Sequence, residues 1–201
     1  MTIDKRVVHI SLPCVGDEEW EATREVYQSG WITQGPKVAE FEKEFAKLHN
    51  AKHALAVTSC TTGLHLCLAG LDIQAGDEVI VPAFTWVATA NVVEYMGAKP
   101  VFCDVDTRTN NIDITKLKSL ITNKTKAIIP VHLFGLCADI DEIKAIAADI
   151  PIIEDAACAA ASQYKDGFAG TLGLAGVFSL HPRKSISTGE GGMILTNDDA
   201  F

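Results

Sequence analysis

The sequence predicts an α/β fold in which a mostly parallel but mixed β-sheet is covered by helices on both faces, giving three layers, α/β/α. Two observations lead to this prediction. Short apolar runs alternate with segments of helical periodicity between residues 54 and 196, and such alternation is typical of parallel strands joined by crossover helices. Several runs are almost continuously apolar, as expected for strands that are buried on both faces.

The chain begins with a predicted helical arm. Helical periodicity covers Glu18–Gln28 and Lys37–Leu48, and a loop containing glycine and proline, Gly30–Pro36, separates the two segments. We expect Asp17–Leu48 to form an arm ahead of the sheet.

Strands and helices then alternate. The predicted strands are Ala54–Ser59, Glu78–Pro82, Pro100–Val105, Ala127–Phe134, Pro151–Ala157, Ala175–His181 and Gly192–Thr196. The predicted helices between them are Thr62–Leu71, Thr85–Met96, Ile114–Ile121 and Asp139–Ala148. Residues 1–201 are therefore predicted to form the arm and one large domain. The pattern stops at Phe201 soon after a strand, so we expect the domain to be incomplete.

Composition and charge narrow the possible partners. The chain has 201 residues and a net charge of −9, and an acidic protein lacks the basic surface that nucleic-acid binding requires. No apolar run approaches the roughly 20 residues of a membrane-spanning helix, and Met1–Gly16 lacks the apolar core of a signal peptide. We therefore expect a cytoplasmic protein without a nucleic-acid or membrane partner.

The cysteines predict neither a metal site nor a disulfide framework. They show no Cys-x-x-Cys pair and no histidine at zinc-ligand spacing. Several lie within apolar patterns, where cysteine behaves as a small hydrophobic residue. The six cysteines, which suit a reducing compartment, are Cys14, Cys60, Cys67, Cys103, Cys137 and Cys158.

The carboxyl ends of the predicted strands are the place to look for a site, because ligands of such sheets bind there. Thr58–Gly63 follows the first strand with hydroxyl groups and with backbone N–H groups that open a helix. This arrangement suits an anion such as phosphate. The alternative is a simple helix N-cap formed by Ser59 or Thr61.

Two further strands end in residues with ambiguous roles. Trp86 could stack on a flat heteroaromatic ring, although a tryptophan considered alone is more often a core residue. Asp155 ends a very apolar run, so its carboxylate needs a positive or hydrogen-bonding partner. That partner could be a protonated pyridine nitrogen, or Asp155 could instead be a helix N-cap or part of a local ion pair.

Lys184 follows the strand that ends near His181, and a glycine-rich stretch, Gly189–Gly192, comes after it. An enclosed lysine amine can act as a nucleophile, and Arg183 could assist if it points inward. The alternative is a solvated surface lysine. Taken together, a lysine, an acid, a stacking ring and an anion site match the requirements of pyridoxal phosphate.

These residues occur in motifs that resemble the DegT/DnrJ/EryC1/StrS family of sugar aminotransferases, which are fold type I pyridoxal-phosphate enzymes. The resemblance follows the expected order along nearly the whole chain but covers only the earlier part of a typical member, so we expect the small C-terminal domain to be absent. The matching stretches are Gly30–Pro36, Val57–His65, Gly76–Pro82, Phe84–Asn91, Thr125–His132, Glu154–Ala157 and Phe178–Gly192.

The resemblance implies a role for each candidate residue. Lys184 would bind pyridoxal phosphate as a Schiff base, Asp155 would pair with the pyridine nitrogen, and Trp86 would stack on the ring. The phosphate would be held by Thr61, by the backbone at Cys60 and by the hydroxyl of Ser179. Cys158 stands near the ring hydroxyl, where many members have His or Gln, and Trp31 and Thr33 lie in a loop expected near the sugar.

The implied activity is the transfer of an amino group, with glutamate as donor, to a nucleotide-linked keto sugar. The full-length form is expected to be a homodimer with its active site at the subunit interface. One alternative is a sugar dehydratase that uses the amine form of the cofactor, but such enzymes replace the lysine that Lys184 supplies here. The other alternative is a non-catalytic remnant that lacks half of the enzyme.

Overall fold

The structure is a computed structural model that describes residues 11–201, so the prediction about a targeting segment falls largely outside the described residues. The helices are α1 (Asp17–Ser29), α2 (Pro36–Leu48), α3 (Cys60–Gly70), α4 (Ala88–Tyr95), α5 (Ile114–Leu120) and α6 (Ile140–Ala147). The strands are β1 (His53–Val57), β2 (Glu78–Pro82), β3 (Lys99–Cys103), β4 (Thr125–Ile128), β5 (Ile153–Asp155), β6 (Gln163–Tyr164), β7 (Gly167–Phe168), β8 (Ala175–Ser179) and β9 (Gly192–Thr196).

The main sheet is mixed and mostly parallel, as predicted. Strands pair in the orders β1-β9-β8-β5 and β3-β2-β4. Parallel bridges join the two groups at Ile128–Ile152 and Val131–Asp155, and the N–H of Ile128 donates to the carbonyl of Pro151 at 3.0 Å. Within residues 11–201, β9 is the only strand of this sheet that runs antiparallel to its neighbours, β1 and β8. The order across the sheet is therefore β1-β9-β8-β5-β4-β2-β3.

Side chains alternate between the two faces of the sheet and create the predicted layers. In β2, Val79 and Val81 join a core cluster with Leu64 of α3 and Val92 of α4. The intervening Ile80 faces the opposite cluster, which is formed with residues of α5 and α6. Helices thus cover both faces, and the three-layer prediction is confirmed.

The predicted arm divides into two parts. Helix α1 has no buried residue. Helix α2 instead packs on the sheet, because its Phe45 is buried and makes an edge-on contact with Phe178 of β8, at 5.2 Å between ring centroids. Helix α2 is therefore part of one outer layer rather than a lead-in ahead of the sheet.

Element types were predicted better than their boundaries. The predicted strands Ala127–Phe134 and Pro151–Ala157 are shorter in the structure. Strand β4 ends at Ile128, shortly before Pro130, which has no N–H to donate. The hairpin of β6 and β7 was not predicted, since each strand has two residues. None of the described helices is both long and apolar enough to cross a membrane.

Candidate active site

A cavity of about 360 Å³ opens at the carboxyl edge of the sheet. Its walls come from the first turn of α3, the loop after β2, the ends of β5 and β8, and the loop 180–191 that connects β8 to β9. A more open groove of about 600 Å³ lies between α2, β1 and Phe201, away from these strand ends. Six predicted site residues line the smaller cavity: Cys60, Thr61, Trp86, Asp155, Ser179 and Lys184.

Asp155 is the buried acid of the cavity, with a relative exposure of 5%. Its Oδ2 accepts a hydrogen bond from Thr89 Oγ1 at 2.8 Å, and its Oδ1 accepts one from the Ala157 N–H at 3.2 Å. Burial raises the pKa of Asp155, and these two hydrogen bonds and the charge of Lys184 oppose the rise. Within residues 11–201 no cation lies within ion-pair distance of this carboxylate. The protonated pyridine nitrogen of pyridoxal phosphate fits this requirement for a positive partner.

Cys60 lies beside this acid. Its Sγ contacts Asp155 Oδ1 at 3.8 Å and the carbonyl of Val177 at 3.6 Å. Burial, followed by the charge of Asp155, raises the pKa of the Cys60 thiol well above its usual value. Cys60 therefore stays a neutral thiol.

The sequence predicts an anion site at the first turn of α3. Ser59 caps the helix, because its hydroxyl accepts a hydrogen bond from the Thr62 N–H at 3.1 Å, so the N-cap alternative holds for Ser59. The N–H groups of Cys60 and Thr61 have no hydrogen-bond partner within the described part of the chain. Two N–H groups at a helix N-terminus are well suited to a phosphate.

Gly192 lies where β1, β8 and the first turn of α3 meet, next to the predicted anion site. It pairs with Val57 of β1 and with Ser179 of β8. A Cβ atom at this position would lie 2.5 Å from the carbonyl carbon of Ser59. A glycine is therefore needed where the start of β9 passes beneath the first turn of α3.

Trp86 is a surface residue at the mouth of the cavity. Its relative exposure is 77%, which contradicts the core interpretation. An exposed indole that lines a cavity is available to stack on a ring bound there.

Lys184 is half-buried, so the solvated-surface alternative is also wrong. Its Nζ donates a hydrogen bond to Cys158 Sγ at 3.0 Å. Cys158 thus lies next to the amine, although it is not among the residues that line the cavity.

Trp31 and Thr33 do not line this cavity. Both are exposed, and Trp31 Nε1 donates to the carbonyl of Gln34 at 2.8 Å. Their predicted proximity to a sugar therefore stays a prediction.

Some residues of the site were not predicted from the sequence. Thr89 is fully buried and holds Asp155, and its spacing of one helical turn from Trp86 was the available signal. Behind Asp155, the carboxylate of Glu154 is also fully buried. It accepts hydrogen bonds from His132 Nε2 at 2.7 Å and from the N–H groups of Gly170 and Leu172. His181, Arg183 and Glu190 complete the cavity wall.

Comparisons with known proteins agree with this geometry. The profile of the DegT/DnrJ/EryC1/StrS aminotransferase family matches residues 13–201. The spore coat polysaccharide biosynthesis protein SpsC of Bacillus subtilis is 47% identical over 191 residues, which cover 94% of this chain and 49% of SpsC. The chain thus spans about half the length of the curated relatives that it matches.

Solved structures show the same fold. A Streptococcus pneumoniae protein described as a sugar aminotransferase was solved in a PLP-form and a PMP-form. It superposes with a TM-score of 0.92 at 32% identity, over 96% of this chain and 54% of that one. A GDP-4-keto-6-deoxymannose-3-dehydratase with a trapped PLP-glutamate geminal diamine gives a TM-score of 0.90 at 36% identity, over 96% of this chain and 52% of that one.

These neighbours identify the architecture as that of the fold type I pyridoxal-phosphate aminotransferases and support pyridoxal phosphate as the cofactor. The buried acid, the half-buried lysine and the helix N-terminus of the cavity fit that cofactor. The chain belongs to the DegT/DnrJ/EryC1/StrS aminotransferase family.

Proposed function

We propose that the full protein transfers an amino group from glutamate to a nucleotide-linked keto sugar with the help of pyridoxal phosphate. The observation that carries the proposal is that the Lys184 amine and the buried Asp155 carboxylate line the same cavity as the first turn of α3. The GDP-sugar dehydratase with PLP and glutamate shows that a relative of this fold takes such ligands.

We assign a role to each residue from its position. When bound, the cofactor withdraws electrons from the substrate carbon that carries the amino group. Lys184 supplies the amine that holds the cofactor aldehyde carbon, and later moves the proton at the substrate carbon. Asp155 accepts a hydrogen bond from the protonated ring nitrogen, and Trp86 covers one face of the ring. The N–H groups of Cys60 and Thr61 and the hydroxyl of Ser179 hold the phosphate.

The remaining assignments rest on the family alone. We propose that Cys158 lies near the ring hydroxyl and that Trp31 and Thr33 contact the sugar in a homodimer of the full-length protein. We further propose that residues 1–201 comprise an N-terminal arm and an incomplete cofactor-binding domain. The six cysteines are free thiols, which is compatible with the proposed cytoplasmic location.

Lys184 favours amination over dehydration. A dehydratase of this family works with the amine form of the cofactor and replaces the lysine, whereas this chain presents a lysine amine in the cavity. The non-catalytic alternative is a remnant that binds the cofactor weakly or not at all, and turnover of a keto sugar by the dimeric protein would exclude it.

The test is to incubate the protein with pyridoxal phosphate, reduce it with borohydride and map the labelled peptide. We expect the label on Lys184, and we expect Lys184→Arg to lose it, because arginine keeps the charge but offers no primary amine. Lys52→Arg is the matched control and should keep the label, because Lys52 is exposed and contacts Asp199 in the distant groove. Labelling that persists in Lys184→Arg would refute the assignment.

The reaction is tested in a full-length version. Glutamate and a panel of nucleotide-linked keto sugars should give an amino sugar and the keto acid derived from glutamate. A protein that is labelled on Lys184 but forms the dehydrated sugar from every member of the panel would show the dehydratase activity instead.

A further inference from the structure

The thiol of Cys158, which we place near the ring hydroxyl, performs no step of the proposed transfer reaction, yet it contacts the Lys184 amine. The distance from Lys184 Nζ to Cys158 Sγ is 3.0 Å. Among the described residues, this sulfur is the only hydrogen-bond partner of the amine. A nucleophilic amine and an oxidisable sulfur are therefore already in contact before any reaction occurs.

Small oxidants can reach this pair. Lys184 lines the open cavity, and Cys158 is half-buried beside it. Cys60 offers a useful contrast, because its sulfur faces Asp155 and the Val177 carbonyl.

We propose that Cys158 and Lys184 form a reversible oxidative crosslink, a sulfur–nitrogen bond, that closes the site to the cofactor. In the first step the sulfur attacks hydrogen peroxide, the O–O bond breaks, and a sulfenic acid and one water form. In the second step the Lys184 nitrogen attacks that sulfur, the S–O bond breaks, and the hydroxyl leaves as water with a proton from the amine. The sulfur is oxidised by two electrons and the peroxide is reduced.

The crosslink has a direct consequence for cofactor binding. A nitrogen bonded to sulfur is no longer a primary amine, so Lys184 cannot hold an aldehyde. A thiol reductant attacks the sulfur and releases the amine, which restores the site. The pair would thereby make cofactor loading sensitive to peroxide.

The crosslink itself is measured by mass spectrometry and does not depend on the proposed function. The cofactor-free protein is treated with hydrogen peroxide, blocked with iodoacetamide and digested with trypsin. We expect a joined peptide that contains Cys158 and Lys184, uncut after Lys184, with a mass about 2 Da below the sum of its parts because two hydrogens are lost. Dithiothreitol should abolish it.

Variants decide the identity of the bond. Cys158→Ser and Lys184→Arg should each lose the joined peptide, and Lys184→Arg serves if the serine variant fails to fold. Cys137→Ser is the matched control and should keep it, since that half-buried thiol contacts the carbonyl of Gln163. A stable sulfenic acid on Cys158 with Lys184 still cleavable, or a disulfide between Cys158 and Cys60, would overturn the proposal.

A second experiment distinguishes failure of this inference from failure of the proposed function. Preincubation with pyridoxal phosphate should suppress the joined peptide, because the amine is then occupied. If the peptide forms without cofactor but preincubation has no effect, the crosslink stands and the assignment of Lys184 as the cofactor residue fails.

Discussion

At Asp155, burial and hydrogen bonding act in opposite directions on one carboxyl group. Burial raises its pKa, whereas the Thr89 hydroxyl and the Ala157 N–H favour the charged form. The hydrogen bonds therefore orient the carboxylate, but they do not fully offset the cost of burying its charge. A cation bound next to Asp155 would supply the missing stabilisation. This explains how a neutral threonine can affect the binding of a charged ring.

We expect Thr89→Val to weaken the binding of pyridoxal phosphate roughly ten- to a hundredfold, because a hydrogen bond to a charged group contributes roughly 1.5–3 kcal/mol and about 1.4 kcal/mol corresponds to a factor of ten. Isothermal titration measures the change. Thr196→Val is the control, since that buried hydroxyl donates to the carbonyl of Leu174 and lies outside the cavity. Equal affinities in the wild type and in Thr89→Val would show that the threonine does not hold the acid.

The raised pKa of Asp155 predicts a pH dependence for the cofactor-free protein. The pKa of Asp155 in the folded state lies above its reference value of 3.8. The protonated acid therefore stabilises the fold fully below pH 3.8, and this contribution is lost as the pH rises through the folded-state pKa. Asp155→Asn should remove this loss. The difference in unfolding free energy between wild type and variant, measured by denaturant titration from pH 4 upward, should therefore move in favour of the variant as pH rises. A difference that does not vary with pH would contradict the burial argument.

Residues of the site were predictable where chemistry restricts the choice. Lys184, Asp155 and the Cys60–Thr61 turn follow strand ends and offer groups that a pyridine phosphate requires. Thr89 was missed because a threonine in a helical segment has many roles, and only the folded chain shows its hydroxyl 2.8 Å from Asp155. The hydrogen bond between Lys184 and Cys158 also required coordinates, since the two residues are far apart in the sequence.

At the scale of elements, the junction between β9 and α3 determines the shape of the proposed anion site. We expect Gly192→Ala to destabilise the protein by about 1–3 kcal/mol, as overpacking does, and to weaken cofactor binding by displacing the Ser59–Cys60 backbone. Thermal unfolding and titration with pyridoxal phosphate measure the two effects.

Gly70→Ala is the matched control for this junction, because it lies at the other end of α3. The nearest atoms to its new methyl group belong to the Phe201 side chain, at 3.1 Å, and a side chain can move aside more easily than backbone. Normal cofactor affinity in Gly192→Ala would show that the close contact is not needed for the site.

Helix α2 is held to the loop behind the cavity by a buried histidine. His49 Nε2 accepts the N–H of Ala161 at 3.0 Å, and its Nδ1 donates to the carbonyl of Phe45 at 3.0 Å. Burial lowers the pKa of His49 below its usual 6.5, so the neutral ring stabilises the fold above pH 6.5. This contribution is lost as pH falls through the folded-state pKa, because a proton on Nε2 would face the N–H of Ala161.

We therefore expect hydrogen exchange in α2 to accelerate as the pH is lowered below 6.5, after correction for the intrinsic pH dependence of exchange. His49→Gln should reduce this acceleration, because glutamine does not titrate there. Helix α4, which packs on the opposite face, is the internal reference. Equal responses of α2 and α4 would mean that His49 does not control the contact.

Element boundaries were the weakest part of the sequence prediction. The apolar run after Thr125 continues through Ile129 and Val131, but Pro130 interrupts regular pairing and the strand ends at Ile128. Helix α2 was placed in the arm because its periodicity reveals an apolar stripe but not the surface against which that stripe packs.

At the scale of the whole molecule, the three layers were predictable from the alternation of strands and helices alone. The strand order was not predictable in this way, because it depends on long-range pairing. The insertion of β9 between β1 and β8 is the clearest example, since the last described strand joins the first. That insertion brings the first turn of α3 next to the end of β8, so residues from distant parts of the sequence line one cavity.

The antiparallel direction of β9 has one more consequence. The chain leaves β8 at the rim of the cavity and returns to the same rim at Gly192, and the N–H of Leu180 closes the connection by donating to the carbonyl of Gly191 at 2.9 Å. The Lys184 amine thus lies in a loop whose two ends are both held by strands of the sheet, β8 and β9. Variation in that loop can change how the amine is presented while the architecture beneath it stays intact, which makes it the natural place for evolution or engineering to alter the chemistry.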